Sequence, residues 1–120
     1  MLNAGIQPGS DMFGPVDPWQ AVLETNLWGV INGVHAFAET MIAQGTPGMI
    51  INTGSKQGIT TPPGNPAYNV SKAGVKVVTE ALQHELRGTE GCKKAKTCLR
   101  VTVQLLCSIL ARVYSLIRAD

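Results

Sequence analysis

The sequence predicts an α/β fold in which short parallel strands alternate with helices. Two observations support this prediction. Apolar runs of strand length alternate with longer stretches of helical spacing, and glycine or proline residues separate them. Uninterrupted apolar strands are typical of a parallel sheet that is covered on both faces. We therefore expect a doubly wound parallel sheet, and the 120 residues leave room for one domain.

The first half of the chain predicts a strand end, a loop and a long helix. Residues 1–5 are short, apolar and end in glycine, and the loop that follows is rich in glycine and proline. A helix with one wide apolar face is predicted over residues 17–44. It is expected to begin at Asp17-Pro18, where the aspartate can cap free N–H groups and the proline fits the first turn. A glycine and a proline after residue 44 end it.

The second half predicts two more strands, each followed by a helix. Residues 49–53 are apolar but too few for a helix, so they predict a buried strand. Residues 54–66 carry three glycines and three prolines and are interpreted as a loop. Helical spacing follows over residues 67–87, and a run rich in valine and leucine over residues 99–107 predicts a third strand. The last helical pattern covers residues 108–120.

Composition and charge exclude several classes of function. A net charge of +2 gives little attraction to nucleic acid or to an anionic membrane surface. The apolar stretches are too short to cross a bilayer, and the N-terminus has no basic region followed by a long apolar run. Three cysteines without a paired spacing predict neither a disulfide framework nor a metal site. We expect a cytoplasmic protein that binds no nucleic acid, no membrane and no metal.

One pair of side chains suggests proton transfer. Tyr68 and Lys72 are four residues apart on a predicted helix, so both lie on one face. A phenol ionises near pH ~10, and a neighbouring ammonium favours its ionised form. Ser55 follows the predicted strand at residues 49–53, at the edge where a parallel sheet presents side chains to ligands. Asn26 lies in the first long helix and is predicted to face the same region.

Together these residues resemble the short-chain dehydrogenase/reductase family. The matching positions fall in the family's order, at its intervals and on its elements. They are the Asn-Ala-Gly signature of the fourth strand (Asn3, Ala4, Gly5), the helix asparagine (Asn26), the catalytic serine (Ser55) and the Tyr-x-x-x-Lys pair (Tyr68, Lys72). The resemblance implies a partial Rossmann-like doubly wound sheet. This chain would hold the end of strand 4 and strands 5 and 6, with their flanking helices.

The resemblance also implies an activity, in which NAD or NADP exchanges a hydride with a ketone or secondary alcohol. Tyr68 would move a proton to or from the substrate oxygen, and Ser55 would hydrogen-bond that oxygen. Lys72 would activate Tyr68 and hold the nicotinamide ribose, and Asn26 would position a water next to it. The cofactor-binding residues implied by the resemblance are Asn3, Ala4, Gly5, Tyr68 and Lys72.

The helices at residues 17–44 and 67–87 match those that this family usually packs into a dimer interface. The resemblance therefore also implies a homo-oligomer that acts on a small-molecule carbonyl or alcohol. Within the chain, we expect one partial domain over residues 1–120. It divides into a region of catalytic motifs, residues 1–91, and a divergent region, residues 92–120.

The chain departs from the family in two places, which keeps other interpretations open. The glycine-rich phosphate loop of the family's first half does not occur, and no Pro-Gly follows the third strand. A second hypothesis is therefore a truncated, non-catalytic fragment that acts as a helix-mediated dimerisation module. A third is a serine hydrolase with Ser55 as nucleophile and His35 or His84 as base. The residues around Ser55 do not form Gly-x-Ser-x-Gly, which disfavours the hydrolase.

Overall fold

The computed structural model describes residues 1–89 and 100–105 of the chain. Its elements in chain order are α1 (Asp17–Leu23), a π-helical turn (Glu24–Trp28), α2 (Gly29–Ala43), β1 (Met49–Gly54), α3 (Gln57–Thr60), α4 (Pro66–Gly88) and β2 (Arg100–Leu105). Strands and helices alternate as in an α/β fold. The helix predicted over residues 108–120 lies outside the described residues, as does most of the region 92–120.

The strands run parallel. β1 pairs with β2 in a register that places Ile50 opposite Val101. The N-terminal segment joins β1 through Leu2, whose N–H donates to the Ile51 carbonyl at 2.7 Å. The Leu2 carbonyl in turn accepts from the N–H of Thr53 at 3.0 Å. β1 therefore has two parallel partners, the segment around Leu2 and β2.

Helices α2 and α4 cover one face of β1. The buried side chains of Ala38, Ile50 and Leu86 form the centre of this contact. Partly buried apolar side chains surround them: Leu2, Val34, Met41, Ile42 and Leu82. These two helices make a single layer, and the second layer of a doubly wound sheet stays a prediction. None of the helices within the described ranges is long and apolar enough to cross a membrane.

The first long helix differs from its prediction at its start and near Asn26. Val16 occupies the N-cap position, and no side chain caps the helix. The prediction that Asp17 is the cap is therefore wrong. Asp17 is already helical, and its carboxylate lies in the first turn, where a negative charge favours the helix dipole. Around Asn26 the chain widens into a π-helical turn, in which the Gly29 N–H donates to the Glu24 carbonyl.

The predicted loop between β1 and α4 contains a further element, the short helix α3. Gly58 brings α3 directly against the backbone of α4. An added Cβ there would lie 2.6 Å from the carbonyl carbon and oxygen of Lys72. Since backbone atoms cannot move aside as a side-chain tip can, only glycine allows this approach. The contact fixes the segment after Ser55 on the helix that carries Tyr68.

Candidate active site

Helix α4 holds Tyr68 and Lys72 side by side. The helix begins at Pro66, and the Asn65 side chain caps it by accepting from the N–H of Tyr68 at 3.3 Å. The Lys72 Nζ lies 5.6 Å from the centroid of the Tyr68 ring, within the range of a cation–π contact. Lys72 is only 4% exposed. The two residues predicted from their four-residue spacing therefore form one cluster, in which an ammonium lies beside a phenol ring.

The ammonium of Lys72 is held by the backbone. Its Nζ donates to the carbonyl of Thr53 at 2.9 Å, near the end of β1. Burial lowers the pKa of Lys72, because desolvation disfavours the charged form. Within the described ranges the one ion pair joins Lys76 and Glu80, so a carbonyl dipole and not a carboxylate faces the Lys72 charge. A buried ammonium of this kind is typical of functional sites.

Asn26 links three parts of the chain from inside the π-helical turn. It is fully buried. Its Oδ1 accepts from the Ile6 N–H at 2.8 Å, and its Nδ2 donates to the Ile6 carbonyl at 2.9 Å. Nδ2 also donates to the Ser71 hydroxyl at 3.2 Å. Both amide hydrogens of Asn26 are thus used by the protein itself, and its expected role in holding a water stays a prediction.

The segment at residues 3–5 meets the same cluster. The Asn3 Oδ1 accepts from the Thr53 hydroxyl at 2.7 Å. At Gly5 an added Cβ would lie 3.6 Å from the Asn26 Oδ1 and 3.7 Å from the Lys72 Nζ. Ala4 is exposed between them. The structure therefore brings the first strand end, the π-helical turn, the end of β1 and α4 to one place, at the edge where a parallel sheet binds ligands.

Ser55 lies immediately beyond this place. β1 ends at Gly54, and the Ser55 hydroxyl oxygen accepts from the Gln57 N–H at 3.2 Å. No acceptor within residues 1–89 and 100–105 takes the hydroxyl hydrogen. Ser55 therefore lies at the end of β1, and it makes no hydrogen bond with Tyr68.

Two further polar residues support the site and were not predicted. The Ser71 hydroxyl donates to the Tyr68 carbonyl at 2.8 Å while it accepts from Asn26. A helical serine can return a hydrogen bond to the preceding turn, but the sequence does not show which serines do so. Asn65 carried a recognisable signal, because an asparagine directly before a proline is typical of a helix start.

The two histidines do not approach Ser55. His35 lines a groove together with Leu86 and Thr89, at the far end of α4. Leu86 lies 14 residues beyond Lys72, which corresponds to about 21 Å along a helix. His84 is exposed on the same distant part of α4. This separation argues against a serine hydrolase built on Ser55 and either histidine.

Comparison with protein families and curated proteins identifies the chain. The family model of short chain dehydrogenases matches residues 1–103. Sulfoacetaldehyde reductase 2 of Chromohalobacter salexigens is 36% identical over 91 residues, which cover 72% of this chain and 35% of that protein. An uncharacterised oxidoreductase of Listeria monocytogenes, Lmo0432, is 38% identical over 85 residues, which cover 70% of this chain and 34% of that protein.

Solved structures show the same relationship. A short chain dehydrogenase/reductase from Burkholderia phymatum in complex with NAD matches with a TM-score of 0.75 at 32% identity, covering 85% of this chain and 34% of that chain. A gluconate 5-dehydrogenase from Burkholderia cenocepacia in complex with NADP and tartrate matches with a TM-score of 0.63 at 39% identity. The match covers 69% of this chain and 32% of that chain. The chain spans about a third of the length of these relatives. It belongs to the short-chain dehydrogenase family.

Proposed function

We propose that this chain carries the catalytic part of an oxidoreductase that transfers a hydride between NAD(P) and a ketone or secondary alcohol. The observation that supports this proposal most is the phenol of Tyr68 beside the buried ammonium of Lys72. Gly5 lies beside both Asn26 and this ammonium, because an added Cβ at Gly5 would be 3.6 Å from the Asn26 Oδ1 and 3.7 Å from the Lys72 Nζ. The bound NAD and NADP of the structural relatives favour a nicotinamide cofactor.

The proposed chemistry follows from the side chains in this cluster. In the reducing direction, Tyr68 gives its hydroxyl proton to the substrate oxygen and becomes a phenolate. The Lys72 ammonium stabilises that phenolate, because opposite charges attract strongly where water is excluded. The Ser55 hydroxyl donates a hydrogen bond to the same substrate oxygen and keeps its proton. The nicotinamide, when bound, supplies the hydride that the carbonyl carbon receives. In the oxidising direction the Tyr68 phenolate takes the single proton back from the alcohol oxygen, and the hydride leaves the carbon for the nicotinamide.

The residues present fit the ribose end of a nicotinamide nucleotide. A lysine ammonium has three hydrogens, and the Thr53 carbonyl takes one of those on Lys72. The other two suit ribose hydroxyls. Gly5 leaves a space beside the Lys72 Nζ that a Cβ would fill, and Asn3 and Ala4 lead the chain toward it. These residues form the proposed cofactor contact.

Nucleotide binding by the full 120-residue chain tests this proposal. We expect saturable heat on titration with NADH or NADPH, and weaker binding by Lys72→Met. Lys76→Met is the matched control, since Lys76 lies one turn further along α4 in an exposed ion pair with Glu80. Equal binding by the two variants would contradict the role of Lys72. A folded chain that binds neither nucleotide would contradict the proposed function.

We also propose that a second copy of the chain packs on the groove between α2 and α4. The groove has a volume of about 430 Å³. Apolar side chains from both helices line it: Ile31, Val34, Ala38, Ile42, Val78 and Leu82. Ala81→Glu adds a carboxylate inside the groove, so it should weaken self-association in sedimentation equilibrium. Val77→Glu, on the exposed surface of α4 outside the groove, should not. If the two variants self-associate equally, the contact between copies of the chain lies outside this groove.

A further inference from the structure

The first turn of α4 is closed by two polar side chains outside the catalytic set. The Ser10 hydroxyl donates to the Asn65 Oδ1 at 2.7 Å and accepts from the Ala67 N–H at 3.1 Å. The same Asn65 oxygen accepts from the Tyr68 N–H at 3.3 Å. Pro66 has no N–H, so the first two N–H groups of the helix are both satisfied by this pair.

The same pair ties α4 to the segment that follows residues 3–5. The Asn65 Nδ2 donates to the Pro8 carbonyl at 3.0 Å. Ser10 lies two residues further along that segment, and more than 50 residues separate it from Asn65 in sequence. Because Asn26 holds Ile6, the chain from residue 6 to residue 10 is attached at both ends to elements of the candidate site.

We infer that Ser10 and Asn65 are positioning residues that hold the Tyr68 phenol at its place beside Lys72. The inference rests on the proposed function, in which Tyr68 is the proton donor. Tyr68 lies in the first turn of α4, where helices open most easily. Lys72 lies one turn later and is anchored independently by Thr53. Loss of the Ser10–Asn65 contacts therefore moves the phenol and leaves the ammonium in place.

Nuclear magnetic resonance of the full chain with ring-labelled tyrosine tests this inference. The sequence has two tyrosines, and Tyr68→Phe assigns the signal of Tyr68. In Ser10→Ala and Asn65→Ala we expect the Tyr68 ring signal to shift by more than its linewidth. Amide exchange at Ala67 and Tyr68 should become about fivefold faster, as for a lost helix cap. Asn65→Asp keeps the oxygen that accepts from Ser10 and Tyr68 but loses the donor to the Pro8 carbonyl, so it should return the ring signal only part of the way toward its wild-type position.

The control is Thr89→Ala, which removes a hydrogen bond to the Glu85 carbonyl at the other end of α4 and should leave the Tyr68 signal unmoved. If Asn65→Ala fails to fold, Ser10→Ala decides the question. Faster exchange with an unmoved ring signal would overturn the inference, because the pair would then only close the helix end. The readout needs neither nucleotide nor turnover, so it is independent of the nucleotide titration that tests the proposed function.

Discussion

The ammonium of Lys72 donates a hydrogen bond of 2.9 Å to the backbone carbonyl of Thr53. This bond joins α4 to the end of β1, and it keeps the ammonium beside the ring of Tyr68. No carboxylate within residues 1–89 and 100–105 pairs with this buried cation, and such burial is costly for the fold, because neither the carbonyl nor the ring replaces the water that the ammonium loses. Because the buried ammonium of Lys72 costs stability, a role in catalysis explains this lysine better than a role in packing does.

Replacing Lys72 by methionine should remove a pH dependence of stability. Burial lowers the pKa of Lys72 in the folded chain below its ordinary value of 10.5, so in the interval between the two values the unfolded chain binds more protons. The free energy of unfolding of the wild-type chain should therefore rise, relative to that of Lys72→Met, as the pH increases toward 10.5. Urea unfolding of both proteins from neutral pH upward measures this difference. A difference that is constant with pH would contradict the prediction.

Replacing Asn26 by alanine should destabilise the chain strongly. The Ile6 N–H and carbonyl would lose their partners, at a cost of about 2 kcal/mol or more. Ser71→Ala removes one hydroxyl and should cost about 1 kcal/mol. Because Asn26 and Ser71 share a hydrogen bond, the double variant should cost less than the sum of the two single variants. Urea unfolding of the wild type, the two single variants and the double variant measures these free energies. If the two single losses add up to the loss in the double variant, the hydrogen bond between Asn26 and Ser71 contributes nothing.

Replacing Gly58 by alanine should disturb the contact of α3 with α4. The new methyl group would overlap the Lys72 backbone, and overpacking of this kind costs about 1–3 kcal/mol. Gly9→Ala is the matched control, since nothing lies within 4 Å of an added Cβ there. It should be neutral or slightly stabilising. Thermal unfolding of both variants measures the effect. Equal melting temperatures would show that α3 does not pack on α4 as described.

The long elements could be predicted because their signals are periodic. The helix predicted over residues 67–87 corresponds to α4, Pro66–Gly88, and the strand predicted over residues 49–53 corresponds to β1, Met49–Gly54. The helical spacing over residues 17–44 likewise matches the helical stretch up to Ala43. Burial of one apolar face decides such elements, and the apolar pattern in the sequence reports that burial directly.

The features that were missed depend on single contacts and not on periodicity. Helix α3 has only four residues within a segment rich in glycine and proline, and its close packing on the backbone of Lys72 requires the glycine at position 58. The π-helical turn depends on where Asn26 finds its partners, which are 20 and 45 residues away in sequence. The motif residues Tyr68 and Lys72 were found from their spacing together with the family resemblance, whereas Asn65 acts through a contact with distant Ser10.

Reduction of a panel of small ketones by the full chain and by Tyr68→Phe, with NADH or NADPH, tests most directly whether Tyr68 is the proton donor. Phenylalanine removes only the hydroxyl and keeps the ring beside Lys72. We expect turnover to fall about a hundredfold or more in Tyr68→Phe, as for a lost general acid, while nucleotide binding by calorimetry is unchanged. Turnover that persists at the wild-type rate in Tyr68→Phe would contradict the assignment of Tyr68 as the proton donor.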